Sequence, residues 1–251
     1  MNSPDLGFCR ISLKDLRGDA PVQLVWRECT TKPMLQTEEV HLWLTNADRT
    51  SWKPDALQNV LNEKERLRAT RFHFDADRNR FIVRRAILRQ IIGQYLGKVP
   101  GVIEFAENSF GKPTLAGESG ELPLHFNLST SGEWVISAFA MQRRIGVDVE
   151  KCRQDFNWAE IAGQFFHAQE MKSISESPEL ERVQSFFKHW TMKEAFIKAR
   201  GVGLERSLLE LDFTAVVREK QMSYAAADGS KWLCLSFAPG DGLVAGLVVE
   251  S

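Results

Sequence analysis

Residues 145 to 150 read IGVDVE, which sets two carboxylates, Asp148 and Glu150, one residue apart in a short run of β-favouring side chains. A strand alternates its side chains, so the two acids share one face, about 7 Å apart, while Val147 and Val149 share the other. Like charges placed this way must be offset by water, on a solvated sheet face, or by a cation. The flanking sequence decides between these two readings.

About 45 residues downstream a helix-favouring segment reads FFKHWTMKEAFIKARG, residues 186–201. Helical periodicity puts Phe186, Phe187, Trp190 and Ile197 on one face, and Glu194 falls between Phe187 and Trp190. Burying a carboxylate alone costs several kcal/mol, so Glu194 calls for a cation or strong donors. Lys198 stands four residues on, but an exposed Glu-to-Lys pair contributes only about 0.3 to 0.5 kcal/mol and explains little.

Upstream, PLHFNLS and EWVISAFA read as the arms of a hairpin joined through Thr130-Ser131-Gly132. Asn127, Ser129, Thr130 and Ser131 cluster where the first arm ends, either as a polar turn or as hydroxyls and amides converging on phosphate oxygens. Before the hairpin, Gly111-Lys112-Pro113 forms a turn that presents a lysine, either simply exposed or facing an anion. Between 62 and 89 lie nine Lys and Arg side chains against four acids. The second half of that stretch predicts a helix with Phe81, Leu88, Ile92 and Leu96 on one stripe, ending at Gly97. Arg85 falls within the stripe, matched either to a structural acid or to a phosphate.

VHLWLTN, residues 40–46, predicts a strand, and the weakly patterned first 40 residues an extended arm or short strands over the surface. WAEIAGQFFHAQEMKSI reads as helical. The closing WLCLSFA and GLVAGLVVE echo the earlier hairpin and suggest two similar halves meeting near Gln142. Composition adds limits: 251 residues, 43% hydrophobic and 26% charged, describe an ordinary globular chain, and a net charge of -1 leaves recognition to local patches. Four scattered cysteines without C-x-x-C spacing fit free thiols in a reducing cytoplasm. Neither a signal sequence nor a membrane-spanning run is expected.

Together and in order, RFHFDADRNRF, FGKP, FNLSTSGEWVISAF, IGVDVE, the Phe165-Phe166 and Glu170 pattern and WTMKEAFIKARGVGL resemble the 4'-phosphopantetheinyl transferases of the long, surfactin-synthetase-activating class. The likeness runs from about Asn62 to Leu204. It implies an α+β fold of two similar halves, 1–142 and 143–251, related by a pseudo-twofold axis. Each half is a small, mainly antiparallel sheet on a long helix, with the ligand cleft between. It implies a monomeric enzyme that moves the 4'-phosphopantetheine arm of coenzyme A onto a serine of an apo acyl, peptidyl or aryl carrier protein with an acidic surface, releasing adenosine 3',5'-bisphosphate. The implied metal is Mg²⁺, with Mn²⁺ as a substitute, on Asp148, Glu150 and Glu194. The implied catalytic set is Glu194, Lys198 and Asp148, and the implied coenzyme contacts are Arg68, Gly111, Lys112, Ser129 and Thr130 together with Asp148, Glu194 and Lys198. Thr130 stands where the family usually has histidine, which removes a positive charge from the coenzyme's 3'-phosphate.

The chemistry suits the residue types. Attack by a serine hydroxyl on a diphosphate develops charge on oxygen, which a hard cation on carboxylates and an ammonium offset. A non-catalytic coenzyme A or carrier-protein binder would not need the three acids. A haloacid-dehalogenase-type phosphatase would need a nucleophilic Asp followed by Asp and a nearby Thr near the start of a parallel sheet, whereas here Glu150 and Lys151 follow, mid-chain. A nucleic-acid binder would carry a zinc or basic-leucine pattern with its basic run, which this chain lacks.

Overall fold

The computed structural model describes residues 6–116, 124–153, 155–202 and 206–251. Two antiparallel sheets are stacked face to face. The first has the order β2-β1-β3-β7-β6, from β1 (Leu6–Ser12), β2 (Arg27–Glu28), β3 (Glu39–Asn46), β6 (Leu124–Ser131) and β7 (Trp134–Met141). The second has the order β8-β11-β10-β9, from β8 (Ile145–Lys151), β9 (Gln221–Ala225), β10 (Lys231–Phe237) and β11 (Leu243–Glu250). A two-stranded ribbon, β4 (Phe105–Glu107) with β5 (Pro113–Leu115), stands apart.

Ile11, Leu42 and Ile136 of the first sheet meet Val147, Val149, Leu235 and Leu247 of the second in one continuous apolar layer. Each such side chain contributes about 1.5 to 3 kcal/mol by leaving water, so this layer fixes how the sheets stack. The outer faces are covered by the long helices. α4 (Asp75–Leu96) lays Val83, Ile87 and Ile91 over Trp43, Phe126 and Phe139. α7 (Arg182–Arg200) lays Met192, Phe196 and Ala199 over Trp232, Cys234 and Val248. The result is the expected α+β architecture of two similar sheet-and-helix units. The first long helix stops where expected, at Gly97, and α7 stops at Gly201, with φ of 66° and 70°.

Shorter helices fill the ends. α2 (Pro54–Leu57) and α3 (Glu63–Ala69) pack on α4, α1 (Leu13–Arg17) follows β1 but packs against β9 and β10, where Gln221 donates to the Asp15 carbonyl, and α5 (Trp158–Phe165), α6 (Ala168–Glu176) and α8 (Thr214–Glu219) belong with the second sheet.

Several expectations need correction. The first 40 residues are not a surface arm. β1 is an internal strand between β2 and β3, with Cys9 and Ile11 each 2% exposed, and α1 buries Leu13 and Leu16. Only two alternating apolar residues flank Arg10, which is why the pattern is faint in the sequence. The hairpin turns at Gly132-Glu133 rather than Thr130-Ser131-Gly132, because β6 continues to Ser131, which pairs with Trp134. The segment after Asn157 is two helices, broken at Phe166, with His167 and Glu170 forming a capping box on α6. Pro123 of the hairpin and Gly203 and Leu204 of the long motif lie outside the described residues.

Arg85 is matched by an acid. It donates to Glu65 at 2.8 Å, and the fully buried Arg89 donates to the same carboxylate at 2.6 Å and to the carbonyls of Pro100 and Ile103. Glu65 also completes a capping box with Asn62 at the start of α3. The pattern Asn62-x-x-Glu65 is legible in the sequence; its two arginine partners, 20 and 24 residues away, are not.

Candidate active site at the seam between the sheets

The sheets meet edge to edge where β6 runs beside β8, and side chains rather than a backbone ladder join them. Asn127 accepts from the Val147 N–H at 2.9 Å, Ser129 donates to Asp148 Oδ1 at 2.6 Å, Ser131 donates to Glu150 Oε2 at 2.6 Å, and the Lys151 N–H donates to Ser131 Oγ at 3.0 Å. Alternation along β6 sends Asn127, Ser129 and Ser131 toward β8, while Phe126 and Leu128 join the layer under α4. The edge of β8 is thus covered by polar side chains.

On the other side of β8 lies α7, and two glycines set its distance. A Cβ on Gly146 would stand 2.0 Å from the Ala195 carbonyl oxygen, and one on Gly246 2.6 Å from that of Thr191. Gly146 and Gly246 therefore let the helix backbone lie directly on the sheet, and Glu194 and Lys198 reach the acids of β8. Lys198 Nζ lies 2.6 Å from Asp148 Oδ1 and donates to Ser129 Oγ at 3.0 Å.

Asp148, Glu150, Glu194, Lys198, Ser129, Thr130 and Trp190 line one cavity of about 390 Å³. The sequence expected Glu194 in the packed face of α7 beside Lys198. It is half-buried at the cavity, and Lys198 is given to Asp148, so Glu194 has no ion-pair partner within 4.0 Å among the described residues. Burial, helped by the Asp148 charge, raises the Glu194 carboxyl above its ordinary value. Burial likewise raises Glu150, with the Ser131 hydrogen bond opposing it and the Asp148 charge adding to it. Asp148 is 3% exposed and its Oδ2 has no hydrogen-bond partner.

The other sequence candidates lie elsewhere. Arg68 lines a separate cavity of about 620 Å³ with Lys64, Leu67, Arg71 and Phe72, its guanidinium 5.3 Å from the Phe81 ring. Lys112 lines a third, of about 300 Å³, beside Arg144 and Phe126, and Gly111 is the left-handed residue before it, φ 78°. The Lys112 ammonium donates to the carbonyls of Ile145 and Lys198, tying the ribbon to β8 and α7. Burial, with Arg144 and Lys198 near, brings its pKa down to about 8. Thr130 is exposed at the rim of the acid cavity.

One charged pair escaped the sequence reading. Lys193, 1% exposed, stands 2.8 Å from the fully buried Glu170 and donates to the carbonyls of Leu208 and Leu211. Glu170 also accepts from the Phe213 N–H, so the pair ties α6 and the 208–213 segment to α7. A lysine beside the site glutamate in the KEA triplet reads as a surface residue, and only the tertiary packing buries it.

Comparisons with known proteins divide at the same seam. Residues 46–142 match the family described as 4'-phosphopantetheinyl transferase, N-terminal, and residues 144–245 match the 4'-phosphopantetheinyl transferase superfamily. Over 228 residues the chain is 34% identical to the 4'-phosphopantetheinyl transferase HetI of Nostoc sp., spanning 91% of this chain and 94% of that protein. The chain belongs to the 4'-phosphopantetheinyl transferase superfamily. The transferase is also 32% identical over 155 residues to Sfp of Bacillus subtilis, 61% of this chain and 66% of that one. With psf-1 of Bacillus pumilus it shares 34% identity over 167 residues, 66% of this chain and 67% of that protein.

Membership implies coenzyme A as a substrate and a divalent metal. Among the described residues no three carboxylate, imidazole or thiolate groups form a ready-made metal cage. The donor set nevertheless fits Mg²⁺, which keeps several waters and takes one or two carboxylates plus substrate phosphates rather than an all-protein cage. Hard oxygen donors, a buried and unpartnered Asp148 Oδ2, and two carboxyls whose charge burial opposes are what such an ion would satisfy.

Proposed function

We propose that the Asp148 cavity is the reaction centre where this transferase moves 4'-phosphopantetheine from coenzyme A to a serine of an apo carrier protein, giving the holo carrier protein and adenosine 3',5'-bisphosphate. The observation that carries the reading is the unpartnered, buried Asp148 Oδ2 beside the Lys198 ammonium, in a cavity that Glu150 and Glu194 also line. Asp148, Glu150 and Glu194 would hold Mg²⁺, which Mn²⁺ could replace, and which supplies charge stabilisation for the diphosphate oxygens.

The chain's own residues do the rest. Two of the three Lys198 N–H groups go to Asp148 and Ser129, which aims the ammonium and leaves the third for a phosphate oxygen. Glu194 has no ion-pair partner within the described residues, so its carboxylate is free to take the serine proton as the new oxygen–phosphorus bond forms and the diphosphate bridge breaks. Ser129 and Thr130 edge the same cavity, and with Arg68, Gly111 and Lys112 they are the proposed coenzyme contacts. Lys112 can meet a phosphate only by releasing the carbonyls of Ile145 and Lys198.

The reading extends to two halves, 1–142 and 143–251, in a cytoplasmic monomer. Four free cysteines agree with a reducing compartment, and among the described residues no helix is long and apolar enough to cross a membrane. The carrier surface would be acidic, met by the lysine and arginines of α3.

The test is direct. The protein is incubated with coenzyme A, Mg²⁺ and a panel of apo carrier proteins, and the products are weighed. A phosphopantetheine adduct with wild type that Glu194→Gln loses is the expected result, and the absence of an adduct on every carrier overturns the proposal.

A further inference from the structure

Four residues form a repeated unit across the seam. Ser129 and Ser131, two apart on β6, stand opposite Asp148 and Glu150, two apart on β8, and each hydroxyl donates to one oxygen of the acid it faces. The direction of the second bond is fixed. The Lys151 N–H donates to Ser131 Oγ, so that oxygen is already an acceptor and its single proton is directed to Glu150 Oε2. The first is fixed likewise, since Lys198 Nζ donates to Ser129 Oγ and the Ser129 proton goes to Asp148 Oδ1.

The consequence is the same in both rungs. One carboxylate oxygen is held, and the other is left for something else: Asp148 Oδ2 is buried without a partner, and among the described residues the hydrogen bond to the Glu150 carboxylate goes to Oε2. A serine that grips one oxygen fixes the plane of the carboxylate and so aims its second oxygen. Both serines come from the first sheet and both acids from the second.

We infer that Ser131 is a positioning residue for the divalent cation: its hydroxyl, held by the Lys151 N–H, orients Glu150 so that the free carboxylate oxygen faces the cavity, as Ser129 does for Asp148. Metal affinity therefore depends on a side chain of the first sheet that never touches the metal. This rests on the assignment of the acids to a divalent cation made above.

The experiment measures Mn²⁺ binding by the full chain, by electron paramagnetic resonance of free Mn²⁺, with saturating coenzyme A present to supply the phosphate oxygens and no carrier protein. Ser131→Ala is expected to weaken binding about 10- to 100-fold. Ser131→Thr, which keeps the hydroxyl, is expected to restore most of it. At saturating Mn²⁺ the kcat of Ser131→Ala should approach wild type, with KM for the carrier protein unmoved. In a Glu150→Gln background Ser131→Ala should have no further effect on binding.

Wild-type Mn²⁺ affinity in a folded Ser131→Ala protein overturns the inference while leaving the metal assignment standing. Failure of the wild-type protein to bind Mn²⁺ overturns both. Should Ser131→Ala not fold, Ser131→Thr against Ser131→Val makes the same comparison at near-constant volume, and equal affinity of those two overturns the inference.

Discussion

Lys198 on α7 and Asp148 on β8 share a contact of 2.6 Å, with the Asp148 side chain 5% exposed and that of Lys198 26%. A carboxylate so buried cannot lose its cation cheaply. Lys198→Met is expected to cost about 3 kcal/mol in urea unfolding, because it leaves an uncompensated charge. It is also expected to lower kcat roughly 100-fold through loss of the phosphate contact. A variant with unchanged unfolding midpoint would place the pair in open solvent instead.

Glu194→Gln separates stability from activity. Burial and the Asp148 and Glu150 charges oppose its ionisation, so the neutral amide relieves repulsion. In metal-free buffer its melting temperature should equal or exceed that of wild type, while the Mg²⁺-induced rise in melting temperature shrinks and transfer is lost. A melting temperature well below that of wild type would contradict the electrostatic account.

Gly146→Ala tests the helix approach. The new methyl would meet the Ala195 carbonyl oxygen and the Ala199 nitrogen at 2.0 and 2.4 Å, both backbone atoms that cannot turn aside. A loss of about 3 kcal/mol is expected, measured by chemical denaturation. Glu194 and Lys198 sit on the helix that must move, so transfer activity should fall even in the folded fraction.

Lys112 gives a pH signature. Its pKa is lowered from 10.5 to about 8, chiefly by burial. Between those values the unfolded chain binds more protons than the folded one, so stability rises with pH. The contribution is fully present above 10.5 and is lost as pH falls through about 8. The difference in unfolding free energy between wild type and Lys112→Met should therefore grow in favour of wild type from pH 8 upward. A flat difference across that window would show Lys112 to be solvated.

Thr130 is exposed at the cavity rim, where an imidazole fits without disturbing the core. Thr130→His is expected to tighten coenzyme A binding roughly 10-fold or more, the value of a hydrogen bond to a charged group, and to sharpen discrimination against 3'-dephospho-coenzyme A. Unchanged KM values for both would remove the 3'-phosphate from this site.

The sequence by itself determined the long helices and the glycine stop of α4, the hairpins β6–β7 and β10–β11, and the identity of the acids. Those features are local: 3.6-residue and two-residue periodicities, and residue types whose charge demands an explanation. For Ser129 and Thr130 it left a polar turn and a phosphate site open, and only the family resemblance implied coenzyme contacts there. What it could not supply were choices among partners. Lys198 had Glu194 four residues away and took Asp148 fifty residues away, because Gly146 lets α7 down onto β8 and Asp148 is the more buried charge. Lys112 read as a turn residue, either exposed or facing an anion, and two backbone carbonyls of distant elements claimed its ammonium. Arg85 and Arg89 took Glu65, and Lys193 took Glu170, for the same reason: a charge that packing buries must find its counter-charge in space, and only tertiary structure sets that distance. The hydroxyls of β6 show it most plainly. Their number was legible at once, but that Ser129 and Ser131 each donate to an acid of β8 was decided by the stacking of the sheets.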